Sequence, residues 1–397
     1  MTLVQMAVAM TAASLALYGA MMALFLGALL RRRTRPDPVV DRAPRVSILK
    51  PLAGHDDDLE ANLESFAKID YPPFELLLGI TSRSDSAYQV ARRFVANHAH
   101  QGRFSVRVVM TDPDAAINPK VAQLVGLGRA ATGEVYVISD SNVRVRPDYL
   151  WSLVAELADE RVGLVTSLFA GAGERTLGAA LENLQLCSSV APGFVAMHAI
   201  GRPVTVGKSM AMRRRDLAQL GGFQPLGEVL AEDYALGRRF RAAGFLVRTS
   251  LHTVENWNVS CTLMRTVERH TRWSKLRRAL LPPGFALEPI LAPIVVASAA
   301  AVLAPGKLTA AMLGATCVVQ TATALVSVRV LRGRWLAWWY APLEIVRSYV
   351  AFFCWLGACA SRRIEWRGHT FTLTRGSVIV RAAAPSARAA GRAGLAA

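Results

Sequence analysis

The sequence predicts a doubly wound α/β domain that is joined to membrane helices at both ends. Short aliphatic runs alternate with amphipathic segments over residues 45–280, no charged residue occurs over residues 3–30, and apolar density rises again after Ala286. Alternating strands and helices are typical of a parallel sheet covered by helices. With 397 residues the chain could hold two average domains, but 52% hydrophobic residues indicates that part of it lies in lipid.

The first predicted element is a transmembrane anchor within residues 1–33. Its uncharged stretch is longer than the roughly 20 residues that a helix needs to cross a bilayer. A cleaved signal peptide would carry its positive charges before the apolar core, whereas here Arg31, Arg32, Arg33 and Arg35 follow it. By the positive-inside rule, the chain after this helix lies in the cytoplasm and the N-terminus faces outward.

A polar linker at residues 34–44 leads into the predicted catalytic domain at residues 45–280. Four short runs of β-branched and aliphatic residues predict the buried strands of a parallel sheet. These runs are residues 46–49, 76–80, 106–110 and 135–139. Helical spacing of apolar residues predicts the connecting helices. These lie around Leu59, Leu63 and Phe66, over residues 87–96 and over residues 121–131.

Three apolar segments predict a second membrane region over residues 281–360. Residues 286–303 and 308–328 have the composition of spanning helices. The third, residues 335–360, contains Glu344 and Arg347, and ionised side chains are costly in a lipid-exposed helix. We therefore expect it not to cross fully. A basic tail at residues 361–397 supports this topology, because its arginines are expected in the cytoplasm. They are Arg362, Arg363, Arg367, Arg375, Arg381, Arg388 and Arg392.

The formal charge of +17 indicates anionic partners. Beside a membrane anchor we expect these to be the lipid bilayer's headgroups and phosphorylated substrates, and no nucleic acid. The five cysteines form no CxxC pair, as expected for reduced thiols without a redox role. The sequence contains no GxGxxG after the first strand, no GxxxxGK[ST], no HExxH and no GxSxG. It therefore lacks the usual signatures of nucleotide-dependent dehydrogenases, of the kinase phosphate loop, of zinc proteases and of lipases.

Acidic residues near predicted strand ends are the first candidates for chemistry, because ligands of open parallel sheets bind at the carboxyl ends of strands. Asp140 follows the fourth strand, where it could hold a divalent cation that bridges a diphosphate, and Asp85 follows the second. Either could instead cap a helix or turn. Glu232 and Asp233 precede a basic helix; they could also be caps, but a carboxylate facing a cleft can deprotonate an alcohol.

A basic segment downstream supplies a second kind of candidate. Arg269, Arg272 and Trp273 stand at positions i, i+3 and i+4, and so share one side of a helix. Arginine suits a diphosphate through its fixed fork of donors, and tryptophan offers a flat wall for a sugar or lipid. The alternative is a juxtamembrane helix that binds anionic headgroups.

A set of strings in this order resembles the ceramide glucosyltransferases, which are membrane enzymes with a GT-A catalytic domain. The strings are VSILKPLAGHDDDLEANLESF, DYPPFELLLGI, INPKVAQL, ISDSNVRVRPDYL, GLVTSL, LAEDY and RHTRW. The resemblance covers residues 45–273 well, and IEWRGHTF in the tail is also similar. It implies a Rossmann-like GT-A fold for the catalytic domain.

The resemblance also implies a role for each candidate. Asp85 matches the aspartate that contacts the nucleotide, Asp140 the one that binds metal and diphosphate, and Asp233 the catalytic base, supported by Glu232. Lys120, in INPKVAQL, is implied in binding the nucleotide sugar.

Arg269, Arg272 and Trp273 match a further nucleotide-sugar-binding motif of that family. Two positions depart from its pattern. Asn142 stands at the second position of the metal motif and would be a weaker ligand than aspartate, because its carbonyl oxygen carries less charge. Val190 stands where animal ceramide enzymes carry histidine, which leaves the sugar and the lipid open.

The function that this resemblance implies is inverting transfer of a hexose, with glucose expected first, from a UDP-sugar to the hydroxyl of ceramide or a related membrane lipid. The implied cofactor is a divalent metal, Mn²⁺ or Mg²⁺. One alternative is transfer of N-acetylglucosamine to a hopanoid lipid, and another is a catalytically inactive lipid-binding or assembly factor. The expected location is a bacterial cell membrane, with several membrane passes and the catalytic domain in the cytoplasm.

Overall fold

The computed structural model describes residues 1–34, 42–54, 57–99, 102–366 and 369–381, and these contain one large and one small β-sheet. The large sheet comprises β1 (Val46–Pro51), β2 (Glu75–Ile80), β3 (Ser105–Met110), β4 (Val135–Ser139), β5 (Val143–Arg144), β6 (Val162–Ala172), β7 (Ser209–Arg213) and β8 (Leu246–Trp257). The small sheet comprises β9 (Arg363–Trp366), β10 (His369–Leu373) and β11 (Ile379–Arg381). Residues 35–41 of the predicted linker and the tail residues Arg367, Arg388 and Arg392 lie outside this description.

Helices cover both faces of the large sheet and form the membrane region. The helices of the α/β domain and its anchor are α1 (Leu3–Thr34), α2 (Leu59–Ala67), α3 (Ser86–His98), α4 (Pro119–Ala130), α5 (Tyr149–Leu157), α6 (Leu177–Gln185), α7 (Ala191–Ala199), α8 (Arg214–Gln219), α9 (Glu232–Ala242) and α10 (Leu263–Leu280). Those that follow are α11 (Pro282–Leu287), α12 (Pro293–Leu303), α13 (Lys307–Arg332) and α14 (Leu343–Ala360).

The large sheet is mixed, with the strand order β3-β2-β1-β4-β7-β6-β8-β5. Strands β1 to β4 run parallel and confirm the four predicted strands. Strand β7 is antiparallel to both of its neighbours, β4 and β6. The carboxyl end of β4 therefore lies beside the beginning of β7, so residues far apart in the sequence meet at one edge of the sheet.

The strand β1 shows how the sheet is stabilised from both sides. All six of its side chains are buried, as expected for a strand covered on both faces. Ile48 packs in the core beneath α2, α3 and α5, whereas its neighbour Leu49 packs in the opposite core with α4 and α9. Full burial of one such side chain stabilises the fold by roughly 1.5–3 kcal/mol.

Four apolar segments form the membrane region. Helix α1, helix α13 and the segment Trp338–Ala360 are each long and apolar enough to cross a bilayer. The segments Pro282–Leu291 and Pro293–Leu303 meet at a bend of 67°, which is the geometry of a broken span or a re-entrant loop. The predicted span at residues 286–303 is therefore not one straight helix.

The ionised residues of α14, which were the reason to expect an incomplete crossing, do not face lipid. Glu344 and Arg347 are buried and pair with each other, with 2.6 Å between Oε1 and Nη2. Gln320 of α13 donates to Glu344 Oε1 at 2.7 Å, and Ser188 donates to Oε2 at 3.1 Å. Because partners within the protein satisfy both charges, they are no barrier to a crossing by α14.

The small sheet packs against the segment that precedes α9. The backbone N–H of Leu230 donates to the carbonyl of Ser377 at 2.9 Å, and that of Ile379 donates to the carbonyl of Glu228 at 2.9 Å. Phe371 is buried in a cluster with Leu230. Because the small sheet follows α14 and contacts the α/β domain directly, any membrane topology of this chain has to keep both on the same side.

We propose that α13 and α14 cross the bilayer and that the bent pair around α11 and α12 is re-entrant. In a background with Cys317 and Cys359 replaced by serine, Thr374→Cys should react with a membrane-impermeant maleimide only after the cells are opened. Thr374 is exposed, so its reactivity reports the side of the membrane. Thr2→Cys serves as the control and should react in intact cells. Labelling of Thr374→Cys in intact cells would contradict this topology.

Candidate active site

Two lysines and three carboxylates meet at the carboxyl end of β4. Asp140 directly follows β4, Lys120 lies in the first turn of α4, and Glu232 and Asp233 begin α9. Lys208 directly precedes β7, the antiparallel neighbour of β4. The structure therefore brings together four of the predicted residues and adds Lys208, which the sequence patterns did not indicate.

Asn118 fixes the helix start that carries Lys120. Its Oδ1 accepts from the backbone N–H of Lys120 at 2.9 Å, which caps α4, and Pro119 occupies the first helical position. The same side chain donates from Nδ2 to the carbonyl of Val229 at 2.7 Å. This second contact ties the beginning of α4 to the segment before Glu232, and so holds both helix starts in one geometry.

Asp140 is held between two ammonium groups. Its Oδ1 lies 2.8 Å from Lys120 Nζ, and its Oδ2 lies 3.2 Å from Lys208 Nζ. Burial alone would raise the pKa of Asp140, but the two lysines outweigh that cost and hold the pKa well below its usual range. We therefore expect Asp140 to be ionised near neutral pH.

Lys120 links Asp140 to the carboxylates of α9. Its Nζ also lies 2.9 Å from Glu232 Oε1. Burial would lower the pKa of Lys120, but the surrounding carboxylates, Asp140 first and then Glu232 and Asp233, raise it well above its usual value. The lysine therefore remains charged and supplies a fixed positive charge inside the site.

Asp233 is positioned by backbone groups rather than by a cation. Its Oδ2 accepts from the N–H of Gly207 at 2.7 Å, and its Oδ1 accepts from the N–H of Tyr234 at 2.7 Å. Burial and the neighbouring Glu232 raise its pKa to about 6, against the opposing effect of Lys120. A carboxylate with this pKa is largely ionised near neutral pH and is basic enough to accept a proton.

Gly207 lies where Lys120 and Asp233 approach each other. A Cβ at this position would come within 2.7 Å of Lys120 Nζ and 3.3 Å of Asp233 Oδ2. We expect Gly207→Ala to displace the flexible lysine end and to reduce activity by about tenfold or more, with a small change in melting temperature. Gly314→Ala is the matched control, because its Cβ would meet no atom within 4 Å. Unchanged kcat/KM in Gly207→Ala would contradict the assigned geometry.

Asp85 caps α3, which is the alternative that the sequence left open. Its Oδ1 accepts from the N–H of Ala87 at 2.8 Å and from that of Gly54 at 2.9 Å. The second bond fixes the loop after β1 at the carboxyl edge of the sheet. The contact with a nucleotide that the resemblance implies for Asp85 stays a prediction.

The three motif residues on α10 lie in different surroundings. Arg269 forms an ion pair with the buried Glu182 of α6, which anchors α10 to that helix. Trp273 is half-buried against the main core, and its ring meets His270 edge to face at 5.0 Å. Arg272 is half-buried between them along the helix. Their role in binding a nucleotide sugar stays a prediction.

The predicted metal ligands lie close together, but lysine occupies their oxygens. Lys208 Nζ donates to Asn142 Oδ1 at 3.1 Å while it also contacts Asp140. Within the described ranges, no group of three or more His, Cys, Asp and Glu side chains is arranged to hold a metal ion. Ammonium groups engage both carboxylate oxygens of Asp140 and the amide oxygen of Asn142, so these residues in this arrangement do not fit a divalent cation.

The chain matches the sequence model of one protein family over most of its length. The match to glycosyl transferase family 21 spans residues 4–379. Ceramide glucosyltransferase 1 of Caenorhabditis elegans is 30% identical over 262 residues, which cover 66% of this chain and 55% of that protein. Ceramide glucosyltransferase 3 of the same organism is 28% identical over a region that covers 62% of this chain and 53% of that protein. The chain thus spans about half the length of these curated relatives.

One solved structure has the same overall fold. It is a mannosyltransferase from Pyrobaculum calidifontis in complex with GDP-mannose and Mn²⁺, which covers 89% of this chain and 99% of its own, with a TM-score of 0.50 and 19% identity. This similarity confirms the GT-A class of the α/β domain.

Proposed function

Since this chain belongs to glycosyl transferase family 21, we propose that it transfers a hexose, glucose first, from a UDP-sugar to the hydroxyl of ceramide or a related membrane lipid. The observation that carries this proposal is Asp233, a carboxylate with raised pKa held at the edge of a GT-A sheet by two backbone N–H groups. The ceramide glucosyltransferases among its relatives support the lipid acceptor.

In the proposed reaction Asp233 accepts the proton of the acceptor hydroxyl. The acceptor oxygen attacks the anomeric carbon, and the bond from that carbon to the diphosphate breaks with its electron pair on the leaving oxygen, which inverts the configuration. Lys120 stabilises the negative charge that develops on the diphosphate, because its ammonium is already fixed in place and remains charged. No covalent intermediate is required.

A divalent cation held by Asp140 is supported by the resemblance and by the Mn²⁺ of the mannosyltransferase, and it stays a prediction for this chain. Such a cation would stabilise the leaving diphosphate. The contacts of Lys120 and Lys208 with Asp140 do not favour it, so no step above is assigned to a metal.

The packing of the apolar helices supports a substrate in the membrane. Helix α1 packs on α7, and α14 packs on α10, the helix that carries Arg272 and Trp273. A lipid hydroxyl lies at the level of the headgroups, so a site held against the cytoplasmic leaflet could take it without extracting the lipid. This arrangement supports a membrane lipid rather than a soluble sugar as the acceptor.

The test is a screen of donors against acceptors with the purified full chain in nanodiscs. UDP-glucose, UDP-galactose, UDP-glucuronic acid and UDP-N-acetylglucosamine would each be offered with ceramide, diacylglycerol and a hopanoid. We expect the highest kcat/KM for UDP-glucose with ceramide. Preference for UDP-N-acetylglucosamine with the hopanoid would replace this proposal, and absence of transfer in every pair would favour a non-enzymatic factor.

The pH profile tests the base separately. Asp233 has a raised pKa, so its basic form is lost as the pH falls through about 6. Glu232 and Lys120 are the charged groups that face it. We therefore expect kcat/KM to rise with pH through about 6 and then to level off. A flat profile between about pH 5 and pH 8 would contradict the assignment.

A further inference from the structure

Lys208 contacts both side chains that were predicted to bind a metal ion. Its Nζ is 3.2 Å from Asp140 Oδ2 and 3.1 Å from Asn142 Oδ1. The side chain is mostly buried, with 16% of its surface exposed. One ammonium group therefore joins the two side chains that were predicted to share a divalent cation.

The predicted metal site differs in charge from a motif of two aspartates. A metal motif with two aspartates would present two negative charges, whereas Asp140 and Asn142 present one. The ammonium of Lys208 adds a positive charge between them. An ammonium carries three N–H donors, and its contacts with Asp140 and Asn142 use two of them, which leaves one for a further acceptor.

Other lysines extend the positive charge around Asp140. Lys120 Nζ contacts Asp140 Oδ1 from the other side, and Lys50 Nζ donates to the backbone carbonyl of Asp140 at 2.6 Å. Two ammonium groups thus contact the carboxylate of Asp140, and a third contacts its backbone carbonyl, at the carboxyl edge of the sheet. Lysine binds phosphate groups as a compact point charge, and a diphosphate is the anion that a nucleotide sugar brings to this edge.

We propose that Lys208 holds the donor diphosphate in place of a divalent cation, while Lys120, whose ammonium contacts Asp140, Glu232 and the carbonyl of Gly207, adds a fixed positive charge beside it. This inference rests on the proposed function, because it assigns the leaving group of that reaction to the two lysines. When the bond between the anomeric carbon and the diphosphate breaks, the electron pair goes to the diphosphate oxygen. Both ammonium groups keep their protons and stabilise that charge electrostatically. Asp140 then serves to position the two lysines.

The first test measures binding of UDP to the unmodified full chain in nanodiscs by isothermal titration calorimetry. We expect Kd in excess EDTA to stay within about threefold of Kd in Mn²⁺ or Mg²⁺, because the lysines need no metal. UDP binding that is detectable only with a divalent cation would overturn the proposal. This measurement needs no variant, so it does not depend on the folding of any mutant.

The second test changes the ligand set. Lys208→Met should weaken UDP binding in EDTA by about 10-fold to 100-fold, which is the range for loss of a charge-assisted hydrogen bond. Lys208→Arg should retain most of the UDP binding in EDTA. The double variant Asn142→Asp with Lys208→Met supplies a second carboxylate and removes the ammonium, so its UDP binding should depend on Mn²⁺. Lys68→Met, at an exposed lysine, is the control.

The outcomes separate this inference from the proposed function. UDP binding without metal but no transfer to any lipid would retain the lysine site and remove the transferase assignment. Lipid glycosylation that EDTA abolishes and Mn²⁺ restores would retain the transferase and overturn the lysine site. Unchanged UDP binding in Lys208→Met would also overturn it.

Discussion

Replacing Asp233 by asparagine should lower kcat by about 10² or more while UDP binding persists. The asparagine oxygen can still accept a hydrogen bond from the N–H of Gly207 or of Tyr234, so the side chain keeps its place. It can no longer accept the proton of the acceptor hydroxyl. The loss of one backbone hydrogen bond should cost about 1 kcal/mol of stability. Single-turnover transfer and UDP titration together would measure both effects.

The matched control for this variant is Asp112→Asn. Asp112 is an exposed carboxylate that caps a short 3₁₀ turn in the same domain, so its replacement should leave transfer unchanged. Comparable melting temperatures would show that both variants are folded. Full activity of Asp233→Asn would remove Asp233 from its role as base.

Lys120→Met should affect both activity and stability. Lys120 contacts both Asp140 and Glu232, so its removal leaves buried carboxylates without their shared counter-charge. The loss of one partner from such a buried ion pair costs about 3–5 kcal/mol. We expect kcat/KM to fall by about 10²–10³, the effect of removing one fixed electrostatic stabiliser.

The pH profile of Lys120→Met tests whether the charge of Lys120 acts on Asp233. Because Lys120 lowers the pKa of Asp233, its removal should move the rising part of the pH profile above about 6. Lys120→Arg keeps the charge and should leave the profile near its original position, and Lys68→Met at an exposed lysine should change nothing. A Lys120→Met variant with an unshifted profile and normal melting temperature would contradict the cluster described above.

The parallel half of the large sheet could be predicted because local patterns determine it. The four early strands are short aliphatic runs, and the connecting helices carry apolar residues at helical spacing. Strands β6 to β8 were not predicted. Strand β6 includes small and hydroxyl-bearing residues such as Gly163, Thr166 and Ser167, and it gains its stability from pairing with β8, which begins more than 70 residues later. No local pattern encodes that pairing.

The same distinction applies to the site. The position of Asp140 could be predicted because it follows a strand, and ligands of such sheets bind at the carboxyl ends of strands, whereas the roles of Asp140 and Asp233 stay predictions. Lys208 could not be predicted, because it reaches Asp140 only through the antiparallel insertion of β7 between β4 and β6. Its signal in the sequence is one lysine after Gly207, without periodicity. The burial of Glu344 with Arg347 could not be predicted for a similar reason, since only packing shows it, and whether residues 335–360 cross the membrane stays a prediction.

The hydrogen bonds between the small sheet and the segment before α9 impose an order on biogenesis. Residues 377–379 follow α13 and α14 in the chain, yet they hold the backbone at Glu228 and Leu230, just before Asp233. The segment before Asp233 therefore lacks these partners until both helices and residues 377–379 have been synthesised. Completion of the candidate site thus depends on the last described residues of the chain, and we expect a chain that stops before residue 377 to lack these contacts.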